Sequence, residues 1–322
     1  MTKANLGIIF HPSFSPALLP QYAQRAERAG FDELWLWDDS FLPGALTAAA
    51  IALASTERLR VGIGIMPFIA LNPLFFAMEI TTLALAYADR FVPGFGHGVD
   101  VWIKQIGAAP KSSLKALEEV VVTVRRLLMG EQVTFHGEQV RFDQVQMQTT
   151  PASVPPLLIG AMREKTAQLA GKVADGTILS EMSSPAYVRW MKGHLESAGA
   201  RANHQIVVYG HSRVSPDGAE ARRKVRQSIA ETLVWAAPHL KAYGVADEAA
   251  ALVAEFGAAG AAERFPEAWL DHLSISGTPE QAAAAIHRLA EAGATSVVLR
   301  PAPHQPECLD EYIQYLMPIL RG

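Results

Sequence analysis

Eight short apolar runs recur along this chain, each followed by a longer stretch of helical period, and that alternation restricts the fold more than any other feature. The runs are LGIIF (6–10), ELWLW (33–37), LRVGIGIM (59–66), FVPGF (91–95), PLLIG (156–160), GTILS (176–180), IVVYGHS (206–212) and SVVLR (296–300). Helical spacing fills the gaps at about 16–29, 44–56, 73–89, 111–129, 163–173, 185–198, 217–242 and 278–292, with a last helix near 306–320. Strands alternating with helices form a parallel sheet with helical crossovers. Eight such units predict an α/β fold, a closed (βα)8 TIM barrel, as one domain over residues 1–322.

Two stretches interrupt the repeat. After the fourth helix, GEQVTFHGEQVRFDQVQMQTTPASVPP holds two β-like pieces around His136 and Gly137, so a hairpin and a proline-rich return are expected there. Residues 243–275 are Ala-rich and predict a helical excursion before the eighth unit.

The charge balance, 28 Lys and Arg against 32 Asp and Glu for a formal net charge of −4, gives no general attraction to nucleic acid or anionic lipid. The lone cysteine, Cys308, excludes an internal disulfide or a multi-cysteine metal cluster and fits a reducing cytoplasm. No apolar run approaches the ~20 residues of a membrane span. A cytoplasmic enzyme acting on a small molecule, without nucleic-acid or membrane partners and assembled as a homodimer, is the expectation.

In a barrel of this kind the chemistry sits where the strands end. His11 follows the first strand, Asp38 and Asp39 the second, Gly94 to Asp100 the fourth, Gly160 to Arg163 the fifth, Ser180 and Glu181 the sixth, and His211 and Arg213 the seventh. Paired aspartates suit acid–base work or a metal, but an aspartate ending a strand also commonly caps the next helix. No H-x-H or H-E-x-x-H spacing supports a metal, and none is expected. Gly94, Gly96 and Gly98 are spaced by two and do not lead directly into a helix, which separates them from a dinucleotide fingerprint. A strand end stripped of Cβ atoms is read here as a slot for a flat ring. The turn at Gly160 enters a helix whose first turn carries Arg163, an arrangement suited to phosphate. His136, His194, His204 and His287 are read as solvated, and Trp35 and Trp37 as packed against helices.

Several segments together resemble the luciferase-like superfamily of flavin-dependent monooxygenases and reductases. They are ERAGFDELWLWDD (27–39), ALASTERLRVGIGIMPFIALNPLFFAMEITTLALAYADRF (52–91), GFGHG (94–98), LEEVVVTVRRLLMGEQVTFHGEQVRF (117–142) and PLLIGAMREKTAQLAGKVADGTILS (156–180), in family order. Within that superfamily the chain is most similar to the coenzyme F420 (deazaflavin) branch that includes methylenetetrahydromethanopterin reductase. The resemblance implies that Asp38 lies at the cofactor ring and that Gly64 and Ile65 form a bulged, cis peptide behind it. It implies Gly94, Gly96 and Gly98 beside the ring, and Gly160, Ala161, Met162 and Arg163 around the cofactor's tail and phosphate. Asp39 stands where the sugar-phosphate dehydrogenases of this branch have a histidine, and Val99 where they have a glutamate, which argues against that activity.

The activity so implied is hydride transfer between F420 and an organic substrate at the barrel mouth, with Asp39, His97 and His11 as candidates for the proton-transferring group. One alternative is an FMN-dependent monooxygenase that uses O2 and a flavin reductase partner. Another is a flavin-binding protein without chemistry.

Overall fold

The computed structural model describes residues 4–321. Its strands, numbered along the chain, are β1 (Asn5–Ile9), β2 (Glu33–Leu36), β3 (Arg60–Pro67), β4 (Phe91–Gly96), β5 (Val133–His136), β6 (Arg141–Val145), β7 (Leu158–Gly160), β8 (Gly176–Leu179), β9 (Gln205–Val214), β10 (Ile275–Gly277) and β11 (Ser296–Arg300). Eight of them pair in parallel in the order β1, β2, β3, β4, β7, β8, β9, β11, and β11 pairs back with β1, so the barrel is closed. These are the eight strands expected from the sequence.

Strand parity decides what fills the barrel. Ile9, Trp35, Val92, Leu158, Ile178, Val207, Tyr209 and Val298 pack together inside it, with Trp37 and Ile65 laid partly exposed across this cluster. Trp35 and Trp37 therefore point inward and not, as the sequence suggested, against the helices. The opposite faces of the same strands, including Ile8, Leu34 and Leu36, meet the surrounding helices. Strands apolar on both faces give no alternation by which inward and outward residues can be told apart.

At the N-terminal end a single buried carboxylate ties four strands together. Glu33 accepts hydrogen bonds from Asn5 Nδ2 (3.0 Å), Trp35 Nε1 (2.8 Å), Arg60 Nη1 (2.8 Å) and Ser296 Oγ (3.2 Å). A buried charge is tolerated when it is paired and fully hydrogen-bonded in this way.

Both interruptions are present. β5 and β6 form the expected antiparallel hairpin. Its turn is held by Glu119 of the helix Ser113–Leu128, which accepts from the backbone N–H groups of Glu138 (3.0 Å), Gln139 (2.8 Å) and Val140 (3.1 Å). The second interruption comprises the helices Ala237–Tyr243, Ala246–Arg264 and Glu267–Leu273, then β10. They share a separate apolar cluster with the helix Gly218–Thr232, built on Val225, Ile229, Leu233, Phe265, Trp269 and Met182. The continuous helix expected over 217–242 is broken after Thr232 and restarts at Ala237 with Pro238 in its first turn, where a proline is compatible with helix.

β9 serves both bodies. Its residues Val207–His211 pair with β11, and Ser212–Val214 continue past the barrel to pair with β10.

Candidate active site

The strand ends bring His11, Asp39, Glu181, His211 and Arg300 to one end of the barrel, with His11 against Trp37 and Arg300 beside Glu181 and His211. At its centre β3 bulges: pairing with β4 shifts register between Ile63 and Met66, and the Gly64–Ile65 peptide is cis. The bulge is tied across to β2 by the Asp38 N–H, which donates to the Ile65 carbonyl at 3.0 Å.

The glycines around it answer to this bulge. A Cβ on Gly94 would collide with the Ile63 carbonyl; one on Gly96 would lie 2.8 Å from Ile65 Cγ1, and one on Gly160 would lie 2.6 Å from Ile65 Cγ2. The slot read from the sequence as room for a flat ring is thus occupied by the bulged strand itself. Only Gly98 needs its glycine for conformation, with φ at +68°. A Cβ on Gly64 would collide with the Tyr209 hydroxyl, which is buried and has no hydrogen-bond partner among the described residues.

Asp38 commits one carboxylate oxygen to the backbone, accepting from Ala45 N–H at 2.7 Å at the start of the helix Ala45–Ala54. Burial raises its pKa and that hydrogen bond lowers it, with burial the larger effect. Asp39 is also shifted upward by burial, against the Trp37 indole N–H and the Arg300 cation, which favour its charge. A carboxyl shifted upward carries a proton more readily near neutral pH.

Burial lowers the pKa of His11, His97 and His204 and so favours their neutral form. His11 is buried, its Nδ1 lying 2.8 Å from Ser13 Oγ and accepting from Ser13 N–H at 3.1 Å, and its ring stands edge-on to Trp37 at 5.0 Å. Burial, then the Arg300 charge, lowers its pKa to about 3. His97 has both nitrogens engaged, Nδ1 with Ser113 Oγ (2.8 Å) and Nε2 with Thr166 Oγ1 (3.3 Å), so it links the exit of β4 to two helices. His204, expected in solvent, is buried against Thr177 at 2.8 Å.

Gly160, Ala161 and Met162 lead from β7 into the helix Glu164–Val173. Ala161 N–H bonds the Ile178 carbonyl at 3.0 Å, and the Met162 carbonyl accepts from the Tyr187 hydroxyl at 2.9 Å, so this turn is fixed. Arg163 precedes the helix, exposed, and its side chain makes no cap to the first turn. The first N–H groups of that helix have no intrahelical acceptor by position, and the Arg163 guanidinium stands beside them.

Sequence reasoning stopped one strand short. Arg300, the last residue of β11, is buried at the mouth with Nε 3.4 Å from Glu181 Oε1, Nη2 3.4 Å from Glu231 Oε2 and Nη1 3.4 Å from His211 Nδ1. The available signal was an arginine closing an apolar strand just before Pro301. Arg213, named from the sequence, directs its donors to Gln305, Cys308 and Glu311. Of the five non-glycine residues with left-handed backbone among the described residues, Phe41 (φ 76°), Met182 (φ 63°) and His304 (φ 57°) follow β2, β8 and β11 at this same face, while Asp89 precedes β4 and Gln144 lies in the hairpin. Such outliers cluster where function constrains the backbone. Among the described residues no three His, Cys, Asp or Glu side chains converge as metal ligands, and no helix is long and apolar enough to cross a membrane.

One family description, luciferase-like monooxygenase, matches residues 5–296 of this chain. The chain belongs to that family. Among its luciferase-like relatives, 5,10-methylenetetrahydromethanopterin reductase of Archaeoglobus fulgidus is 29% identical over 308 residues, covering 91% of this chain and 92% of the relative. F420-dependent glucose-6-phosphate dehydrogenase of Nakamurella multipartita is 29% identical over 333 residues, covering 96% and 94%. The solved coenzyme F420-dependent tetrahydromethanopterin reductase of Methanopyrus kandleri superposes with a TM-score of 0.84 at 20% identity, covering 99% of this chain and 100% of that one.

Proposed function

We propose that this chain is an oxidoreductase that uses coenzyme F420 and moves a hydride between the deazaflavin and an organic substrate held at the barrel mouth. The observation that carries the reading is the pairing of a partly exposed Ile65 on the β3 bulge with an uncapped helix start and a free Arg163 after β7. The first offers an apolar floor for a flat ring, and the second a seat for a phosphate. When bound, the deazaflavin supplies the hydride chemistry.

The chain's own residues then bind, orient and manage the proton. Ile65 and Trp37 form the floor and keep water from beneath the reacting centre. Asp38, through its N–H to the Ile65 carbonyl, holds the bulge in place. Asp39 gives a proton to the substrate heteroatom in reduction, or takes it in oxidation. His11, neutral with Nδ1 engaged by Ser13, positions that heteroatom from Nε2. His97, with both nitrogens occupied, is assigned to positioning the exit of β4.

The assembly proposed is a homodimer. On the helix Pro73–Ala86, Phe75, Met78 and Leu85 are large exposed apolar side chains at helical spacing, beside Glu79 and Thr82.

Adding purified protein separately to F420 and to FMN tests the cofactor: F420 fluorescence should be quenched at micromolar protein, with weaker retention of FMN. If FMN binds tighter by tenfold or more, the monooxygenase reading with O2 and a reductase partner replaces this one.

A further inference from the structure

The buried cation of the mouth is already matched by carboxylates. Arg300 lies between Glu181 and Glu231, each at 3.4 Å, and Asp39 stands close enough to interact with both Arg300 and Glu181. Two carboxylates, Glu181 and Glu231, thus flank one guanidinium, and the histidines that border it, His11 and His211, are buried and held neutral. Above this group the rim is apolar. Phe41, edge-on to Trp102, follows β2; Val101 and Ile106 lie in the segment after β4; Val234 and Trp235 follow the Glu231–Thr232 pair that contacts Arg300 and His211.

We propose that the substrate is an organic molecule with an apolar body and an uncharged or cationic reacting end, and that Glu181 and Glu231 enforce this choice by neutralising Arg300. A phosphate or carboxylate entering the mouth would meet a negative field, and it could recruit Arg300 only by separating it from both partners. A ketone, an alcohol or a protonated amine meets no such opposition and covers the exposed aromatic rim with its carbon skeleton. The inference rests on the proposed function, since it assigns the mouth to the substrate and the turn after β7 to the cofactor's own phosphate.

Calorimetric titration of the F420-loaded protein with cyclohexanecarboxylate, cyclohexanone and cyclohexylammonium, three ligands of similar shape, tests it. Ketone and ammonium should bind at least about tenfold more tightly than carboxylate. Glu231→Gln, at a half-exposed side chain that folding tolerates, should narrow that gap by about tenfold, and Glu181→Gln should do the same. Carboxylate binding as tight as ketone, or a gap unchanged in both variants, overturns the proposal. Quenching of F420 fluorescence is recorded on each sample first, so failure of the cofactor reading is seen separately from failure of the charge argument.

Discussion

The Cβ that an alanine would place on Gly160 falls 2.6 Å from Cγ2 of Ile65, closer than packed carbon atoms approach. β7 and the β3 bulge are therefore fitted to each other, and neither can be altered alone. Gly160→Ala should destabilise the protein by ~1–3 kcal/mol, the usual range for overpacking a core, and should weaken F420 binding by displacing Ile65. Urea unfolding and fluorescence quenching on the same variant measure both effects; unchanged values in both would show that the bulge yields freely.

Arg163 makes no cap and is exposed, so its removal leaves the fold intact. Loss of a bidentate donor to phosphate costs ~1.5–3 kcal/mol, and Arg163→Ala should weaken F420 affinity roughly ten- to a hundredfold. The deazaflavin core without its phosphate-bearing tail should bind wild type and variant alike.

Asp39→Asn should slow hydride transfer by ~10²–10⁴-fold, the range for a lost acid–base group, while leaving F420 affinity unchanged. Because burial shifts the Asp39 carboxyl upward, the rate of reduction should fall with rising pH as this group ionises. The variant should lose that pH dependence.

Acid should unfold this protein through its buried histidines. His11 and His239 are each held near pKa 3 by burial, against about 6.5 in the unfolded chain. Below pH 6.5 the unfolded state binds more protons than the folded one. The neutral histidines thus support the fold fully above pH 6.5, and that support is lost as pH falls toward 3. The slope is at most ~1.4 kcal/mol per pH unit for each such group. His239 stacks on Tyr187 at 4.1 Å and bonds Ser180 at 3.2 Å, and His239→Gln should flatten the acid limb of a stability–pH curve measured by urea unfolding.

The Phe75, Met78 and Leu85 stripe supplies the dimer test. Phe75→Glu should convert a homodimer to a monomer in light scattering without loss of helical signal. A monomeric wild type would instead leave that stripe without the partner assigned to it.

The barrel was legible in the sequence because its strands are short, apolar and separated by helical spacing, and all eight were located. Direction within each strand was not. Trp35 and Trp37 were sent outward because a strand buried on both faces carries no alternation. The short helix Asp100–Gln105 was missed for a related reason: six residues hold fewer than two turns, too few to show a period. Position after a strand placed Asp39, His11 and the turn at Arg163 at the barrel mouth, where the structure has them. The pairing of Arg300 with Glu181 and Glu231 was not visible there, since it joins β11, the end of β8 and the helix Gly218–Thr232 across more than sixty residues of chain. The glycines illustrate the same limit. Their spacing marks a close approach, but only three dimensions show that the approaching groups belong to the bulged strand, Ile63 at Gly94 and Ile65 at Gly96.

The overrun of β9 beyond the barrel has an evolutionary and engineering consequence. Because Ser212–Val214 add to β10, the wall of inserted helices is stitched to the barrel by main-chain bonds on a strand the barrel already owns. Such a wall behaves as an exchangeable cassette with its seam at β9 and β10. Replacing residues 215–274 with the corresponding segment of a relative should transplant substrate preference while the bulge at Ile65 and the turn at Arg163, which lie outside the seam, go on receiving the same cofactor.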